Sequence, residues 1–217
     1  MSDLKEQTFS ANKIQFSTEI EIDTQPKRRV GILGGTFNPP HIGHLIIADQ
    51  VCHQLGLEKI YFMPSANPPH QDEKRAIDAK HRLHMVELAI EDNTVFDVEK
   101  SEIDRGGKSY TYDTLVKLKE EHPDTEYYFI IGGDMVEYLP KWYKIEDLAQ
   151  LVEFVGVNRP GYPFISPYSI IWVDVPSMDI SSTSLRKNLK MNCPVNYLIP
   201  EKTLNYIRQE GLYQDGK

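Results

Sequence analysis

The run Tyr127–Ile131 (YYFII) has no polar face to turn toward water, so it fits a strand covered on both sides by the rest of the chain. Arg29–Leu33 (RVGIL), Lys59–Met63 (KIYFM), Val95–Val98, Glu153–Val157 and Ile170–Val175 are similarly short and apolar. Longer stretches of helical period separate most of them. Leu45, Ala48, Cys52 and Leu55 recur at three- and four-residue steps, the mark of a helix over His44–Leu55 with one buried face. Further helices are expected around Leu83–Ile90, from just after Ser109 to the stop signal His122-Pro123, around Ile145–Leu151, over Ser181–Lys190 and over Glu201–Gln209. This alternation predicts an α/β fold, a Rossmann-like open parallel sheet with helices on both faces.

The 217 residues are enough for one domain with a real core, expected over residues 29–217. Residues 1–28 read as a mobile or loosely docked N-terminal extension without the features of a secretory signal, in which Thr18–Ile22 could add an edge strand that Pro26 ends. With 40% apolar and 26% charged residues, and no apolar run of spanning length, a membrane role is excluded. A net charge of -8 argues against nucleic acid as a partner, because phosphate-backbone binding rests on clustered Lys and Arg. Cys52 and Cys193 stand apart with no second Cys near either, which suits a reduced, cytoplasmic protein.

The segment with most chemistry is GILGGTFNPPHIGHL, Gly31–Leu45, which runs from a strand through a Gly- and Pro-rich loop into a helix. In open parallel sheets, ligands bind beyond the carboxyl ends of the strands at such a junction. Gly34 and Gly35 would let the backbone approach a phosphate, and the helix start offers its positive end. His41 and His44, three positions apart, can point from one turn toward the same anion, with Gly43 between them leaving room. The bland reading is two incidental surface histidines or half a metal site, but further ligands are not evident nearby and no protein-held metal is expected. G-x-G-x-x-G is absent, and no Gly-Lys-Ser/Thr closes the loop, so this is neither the dehydrogenase fingerprint nor a P-loop.

A second segment, ISSTSLRK at Ile180–Lys187, opens a helix with Ser181, Ser182, Thr183 and Ser184 and brings Arg186 one turn on as a planar fork for phosphate oxygens. Alone it would pass for an ordinary N-cap and solvated face. Trp142, in the Pro-flanked loop LPKWY, is either a stacking platform for a flat ligand or part of the core.

Together the two segments resemble the nucleotidyltransferase superfamily that carries an H-x-G-H loop and a later I-S-S-T-x-x-R helix. Within it the chain is similar to bacterial nicotinate-nucleotide adenylyltransferases over roughly residues 29–214. NPPH at Asn67–His70, SYTYDTL at Ser109–Leu115, FIIGGDMVEYLPKWYKIEDL at Phe129–Leu148 and FVGVNRPGY at Phe154–Tyr162 carry the likeness as well. The resemblance implies that Gly34, Gly35, Thr36, Phe37, His41 and His44 hold the ATP phosphates, with His44 at the α-phosphate. Arg186, with Ile180, Ser181, Ser182 and Thr183, would grip the departing pyrophosphate while Mg²⁺ bridges phosphate oxygens. Gly132 and Asp134 would bind the ribose. For nicotinate mononucleotide it implies Asn67, His70, Arg82, Thr111, Tyr112, Trp142 and Tyr143, with Trp142 stacking on the pyridine ring and Arg82 reaching the acceptor phosphate. Gln71 departs from the pattern, since the family often has Lys there, and Lys74 or Arg75 would have to replace that charge.

The expected reaction is in-line attack of an acceptor phosphate oxygen on the ATP α-phosphorus without a covalent enzyme intermediate. His41, His44, Arg186, Mg²⁺ and the helix end would stabilise the developing charge. Three other readings share these residues: an adenylyl- or cytidylyltransferase with another acceptor such as phosphopantetheine, a non-catalytic nucleotide sensor, and a class I aminoacyl-tRNA synthetase fragment. The last lacks that family's second signature loop and a basic surface. A homo-oligomer and the choice between nicotinate and nicotinamide stay open.

Overall fold

A computed structural model of the chain describes residues 27–67, 76–157 and 166–214. Six strands, β1 (Arg28–Gly35), β2 (Lys59–Pro64), β3 (Phe96–Val98), β4 (Thr125–Gly132), β5 (Val152–Val157) and β6 (Ile170–Val173), form one sheet in the order β3-β2-β1-β4-β5-β6. Every pairing is parallel. The order reverses at β1, which lies between β2 and β4, so a crevice opens beyond the carboxyl ends of β1 and β4.

Side chains alternate across the sheet with period two. On one face Val30, Ile32, Tyr127, Phe129 and Phe154 pack against Leu115 and Leu118 of α4 (Thr111–Glu121) and against Ile145 and Leu148 of α6 (Ile145–Leu148). On the other, Leu33, Ile60, Phe62, Ile130 and Val155 meet Ala48, Val51 and Cys52 of α1 (Ile42–Leu55) and Val86 and Ile90 of α2 (Ala79–Ile90). The expected α/β architecture, with helices on both faces, is present. A third apolar cluster joins Met85 of α2 to Leu185 of α7 (Ser182–Lys190) and to Leu204 and Ile207 of α8 (Glu201–Gln209). Two short helices lack the length for a periodic signal, α3 (Ser101–Arg105) and α5 (Gly133–Val136).

Boundaries shift where a specific contact intervenes. α1 begins at Ile42 because His41 is its N-cap, with extended backbone, and it stops at Gly56, whose left-handed φ of 59° lets its N–H turn back to the carbonyls of Cys52 and His53. β6 ends at Val173 rather than Val175, and the carbonyl of Asp174 accepts instead from Gln54 of α1 at 2.7 Å. Among the described residues no helix is long and apolar enough to cross a membrane. The suggested strand at Thr18–Ile22 lies outside the described residues.

Candidate active site

β1 delivers the chain into the crevice at Gly35, and the turn Thr36–His41 leads into α1. The two glycines serve packing as well as access. A Cβ on Gly34 would lie 2.9 Å from the ring of Phe129, and one on Gly35 would lie 3.1 Å from the ring of Phe37. Phe37 adopts a left-handed φ of 49° and turns its ring into the core, edge-on to the His44 imidazole at 5.0 Å. Its contribution to the crevice is therefore made by its backbone.

His41 and His44 form a unit at the start of α1. Their rings stack with centroids 3.7 Å apart, and the His41 N–H donates to Nδ1 of His44 at 3.1 Å. That bond makes Nδ1 the acceptor, so Nε2 carries the proton of a neutral His44. Gly43 is required beside them, because a Cβ there would sit 3.0 Å from Nδ1 of His41.

The two segments that are far apart in sequence meet here. Ser182 donates its hydroxyl to the Pro39 carbonyl at 2.9 Å, and Arg186, 148 positions from Asn38, donates Nη1 to the Asn38 carbonyl at 2.9 Å. Thr183 accepts from Nη2 of Arg186 at 3.2 Å, and Ser181 caps α7 by accepting from the N–H of Ser184. Ile180 packs against the third apolar cluster. The Ser/Thr run thus does the ordinary work of starting a helix while aiming Arg186 at the turn Thr36–His41.

Arg82 is placed differently from the expectation that it reaches the acceptor phosphate. It is 1% exposed, and its guanidinium donates to the carbonyls of Ile77 (3.1 Å), Thr36 (2.8 Å), Ser65 (2.7 Å) and Ala66 (2.9 Å). A planar fork with several donors can satisfy carbonyls from separate strands of chain at once. Arg82 is a clamp behind the site, and its donors are spent on main chain rather than on a ligand.

Beside the turn lies a cavity of about 370 Å³ lined by Gly34, Gly35, Thr36, His44, Gly132, Thr111, Trp142 and Tyr143, and also by Glu102, Ser109, Tyr110 and Met135. Trp142 lines the cavity and also makes the core contacts considered for it, packing edge-to-face on Phe129 (5.8 Å) and Phe154 (6.4 Å). Tyr143 is 45% exposed and lies 4.6 Å from the Tyr110 ring. Tyr112 packs toward the core and meets Tyr143 edge-on. Asn67 binds the wall through its backbone, its carbonyl accepting from the N–H of Ser109 at 3.1 Å. Gly132 starts α5, whose backbone includes Asp134; the Asp134 side chain, His70, Gln71, Lys74 and Arg75 lie outside what is described.

Glu102 is the site residue that sequence reasoning missed. It is 3% exposed, and burial, the largest influence, pushes its carboxyl above the usual carboxylate range; hydroxyls of Ser109 and Thr114 and the charge of Arg105 partly offset that. The signal available in sequence was only its place in SEIDRGG ahead of SYTYDT.

A fold with its crevice at the reversal of strand order, fitted with paired histidines and a converging arginine, defines a nucleotide-handling site. Residues 32–188 match the family model described as Cytidylyltransferase-like. A "probable nicotinate-nucleotide adenylyltransferase" of Enterococcus faecalis is 60% identical over 88% of this chain and 87% of its own length. One of the same description from Lactiplantibacillus plantarum is 55% identical over 96% and 98%. Among solved structures, the Plasmodium falciparum nicotinic acid mononucleotide adenylyltransferase complexed with NaAD superposes with a TM-score of 0.72 at 22% identity, covering 86% of this chain and 97% of that one. The chain belongs to the cytidylyltransferase-like family and, within it, to the nicotinate-nucleotide adenylyltransferases.

Proposed function

We propose that this protein transfers the AMP group of ATP to nicotinate mononucleotide, forming nicotinate adenine dinucleotide and pyrophosphate for NAD biosynthesis in the cytoplasm. The observation that carries this reading is the convergence of Ser182 and Arg186 on the carbonyls of Pro39 and Asn38, which brings the arginine to the turn that leads into His44, beside an aromatic-walled cavity. The names of its relatives supply the acceptor.

An acceptor phosphate oxygen attacks the α-phosphorus as the bond to the bridging β-phosphate oxygen breaks, and pyrophosphate leaves with that electron pair. The nucleophile is already ionised near neutral pH, so positioning and charge stabilisation suffice. His44, through Nε2–H, and the N-terminus of α1 receive charge at the α-phosphate; His41 orients His44; Arg186 holds the departing pyrophosphate. Thr36 and the backbone of Gly35 and Phe37 follow the phosphates, and Gly132 and Asp134 take the ribose. Thr111, Tyr112, Trp142 and Tyr143 enclose the pyridine nucleotide, and Asn67 and His70 are assigned to the same acceptor. Mg²⁺ enters as part of the MgATP substrate.

The deciding experiment is pyrophosphate release from MgATP with nicotinate mononucleotide, nicotinamide mononucleotide and phosphopantetheine offered separately. Release with nicotinate mononucleotide well above the other two is expected. Faster release with phosphopantetheine would reassign the acceptor, and none with any acceptor would make the protein a nucleotide sensor.

A further inference from the structure

Beyond α8 the chain folds back on the phosphate turn. Gly211 and Tyr213 both take left-handed backbone, with φ of 62° and 64°, a conformation that a bulky side chain adopts rarely and that marks a place where the surrounding fold dictates it. The result is that the Tyr213 hydroxyl donates to Oδ1 of Asn38 at 2.7 Å. Asn38 is 4% exposed, and its carbonyl is the one that receives Arg186. The flanking carbonyls of Thr36 and Pro39 receive Arg82 and Ser182. The turn is therefore gripped from α2, from α7 and from the C-terminal segment.

We propose that Tyr213 is a positioning residue for ATP: by holding the Asn38 side chain it fixes the turn whose backbone and His44 meet the phosphates. The inference rests on the reading that this turn binds ATP. Its physical basis is that a short, half-buried hydrogen bond between side chains fixes the orientation of Asn38, and with it the two carbonyls on which Arg186 and Ser182 are aimed. Burial also raises the proton affinity of the phenol well above its ordinary value, against the opposing charges of Arg186 and Arg82, so the hydroxyl stays a donor throughout the working pH range. Tyr213 packs its ring against the third apolar cluster, which ties the turn to α2, α7 and α8 together.

The test uses the full chain and two single substitutions, Tyr213→Phe and Asn38→Ala, with the double variant. Each is measured for thermal stability and for KM and kcat, with ATP and nicotinate mononucleotide varied in turn. Tyr213→Phe keeps the ring and loses only the hydroxyl. The expected result is a melting temperature close to that of the unsubstituted protein, a KM for ATP raised about three- to tenfold, as loss of one such hydrogen bond implies, and an unchanged KM for the acceptor. The double variant should be no worse for ATP than Asn38→Ala alone, because both remove the same contact. An unchanged KM for ATP, equal losses toward both substrates, additive effects in the double variant, or failure of Tyr213→Phe to fold would each overturn the proposal. A chain inactive without any substitution would instead bring down the ATP-binding reading itself.

Discussion

The two walls of the crevice are built by different means. The turn Thr36–His41 is held by Arg82, Ser182 and Arg186, which donate at 2.8–2.9 Å to its main-chain carbonyls from behind and from α7. The facing wall, Tyr110, Trp142 and Tyr143, is held by ring contacts of 4.6–6.4 Å, and Tyr143 remains half-exposed. Hydrogen bonds to carbonyls fix direction as well as distance, whereas ring contacts tolerate sliding and tilting. In the proposed reaction the half assigned to the phosphates is thus organised before a ligand arrives, which is where preorganisation contributes most to rate. The half assigned to the pyridine ring is adjustable.

The sharpest way to break this contrast is at His44. His44→Ala removes the Nε2 donor and also the acceptor for the His41 N–H. We expect kcat to fall about 10²- to 10³-fold, the range for losing one donor to developing charge, while circular dichroism shows a folded protein. Pyrophosphate release near the normal rate would move the charge-stabilising role elsewhere on the turn.

Trp142→Ala probes the opposite wall. The KM for nicotinate mononucleotide should rise roughly tenfold, within the 1–3 kcal/mol expected of a lost stacking surface, with kcat changed far less. Because Trp142 also packs on Phe129 and Phe154, about 2 kcal/mol of stability should go with it. Destabilisation with an unaltered KM would assign Trp142 to the core alone.

The smallest effect is expected from Glu102→Gln, read as melting temperature against pH. Burial raises the folded-state pKa of Glu102, so its protonated form favours folding below the ordinary carboxylate range, and that advantage is lost as pH rises through the folded value. A neutral amide avoids the cost of burying charge. The variant should therefore match the parent near pH 4 and melt higher at pH 8. A parallel offset at both pH values would show that Glu102 does not titrate in this range. The titrating groups facing it are Arg105 and Glu99, with the Ser109 and Thr114 hydroxyls as its hydrogen-bond partners.

What could be read in the sequence divides along the same line as the walls. RVGIL, KIYFM and YYFII are each buried in the sheet, and the three- and four-residue spacing in α1 marks the face that carries Ala48 and Cys52 inward. The meeting of the Thr36–His41 turn with ISSTSLRK was legible only through the family resemblance, because hydroxyls and a basic residue at a helix start also make an ordinary N-cap. Arg82 was not: one arginine on a helix of alternating character looks like a solvated residue, and only the folded chain brings four carbonyls around it. Glu102 and Tyr213 escaped for a related reason. α3 has only five residues and Tyr213 follows a short turn, so neither carries a periodic pattern.

The clamp made by Arg82 has a consequence for resistance to inhibitors. Its contacts are with the carbonyls of Ile77, Thr36, Ser65 and Ala66, and a carbonyl survives almost any exchange of the side chain attached to it. A compound shaped to that backbone would meet contacts that exchanging the side chains of Ile77, Thr36, Ser65 or Ala66 scarcely alters. One that leaned on Trp142 and Tyr143 would face a wall that can be rewritten one ring at a time.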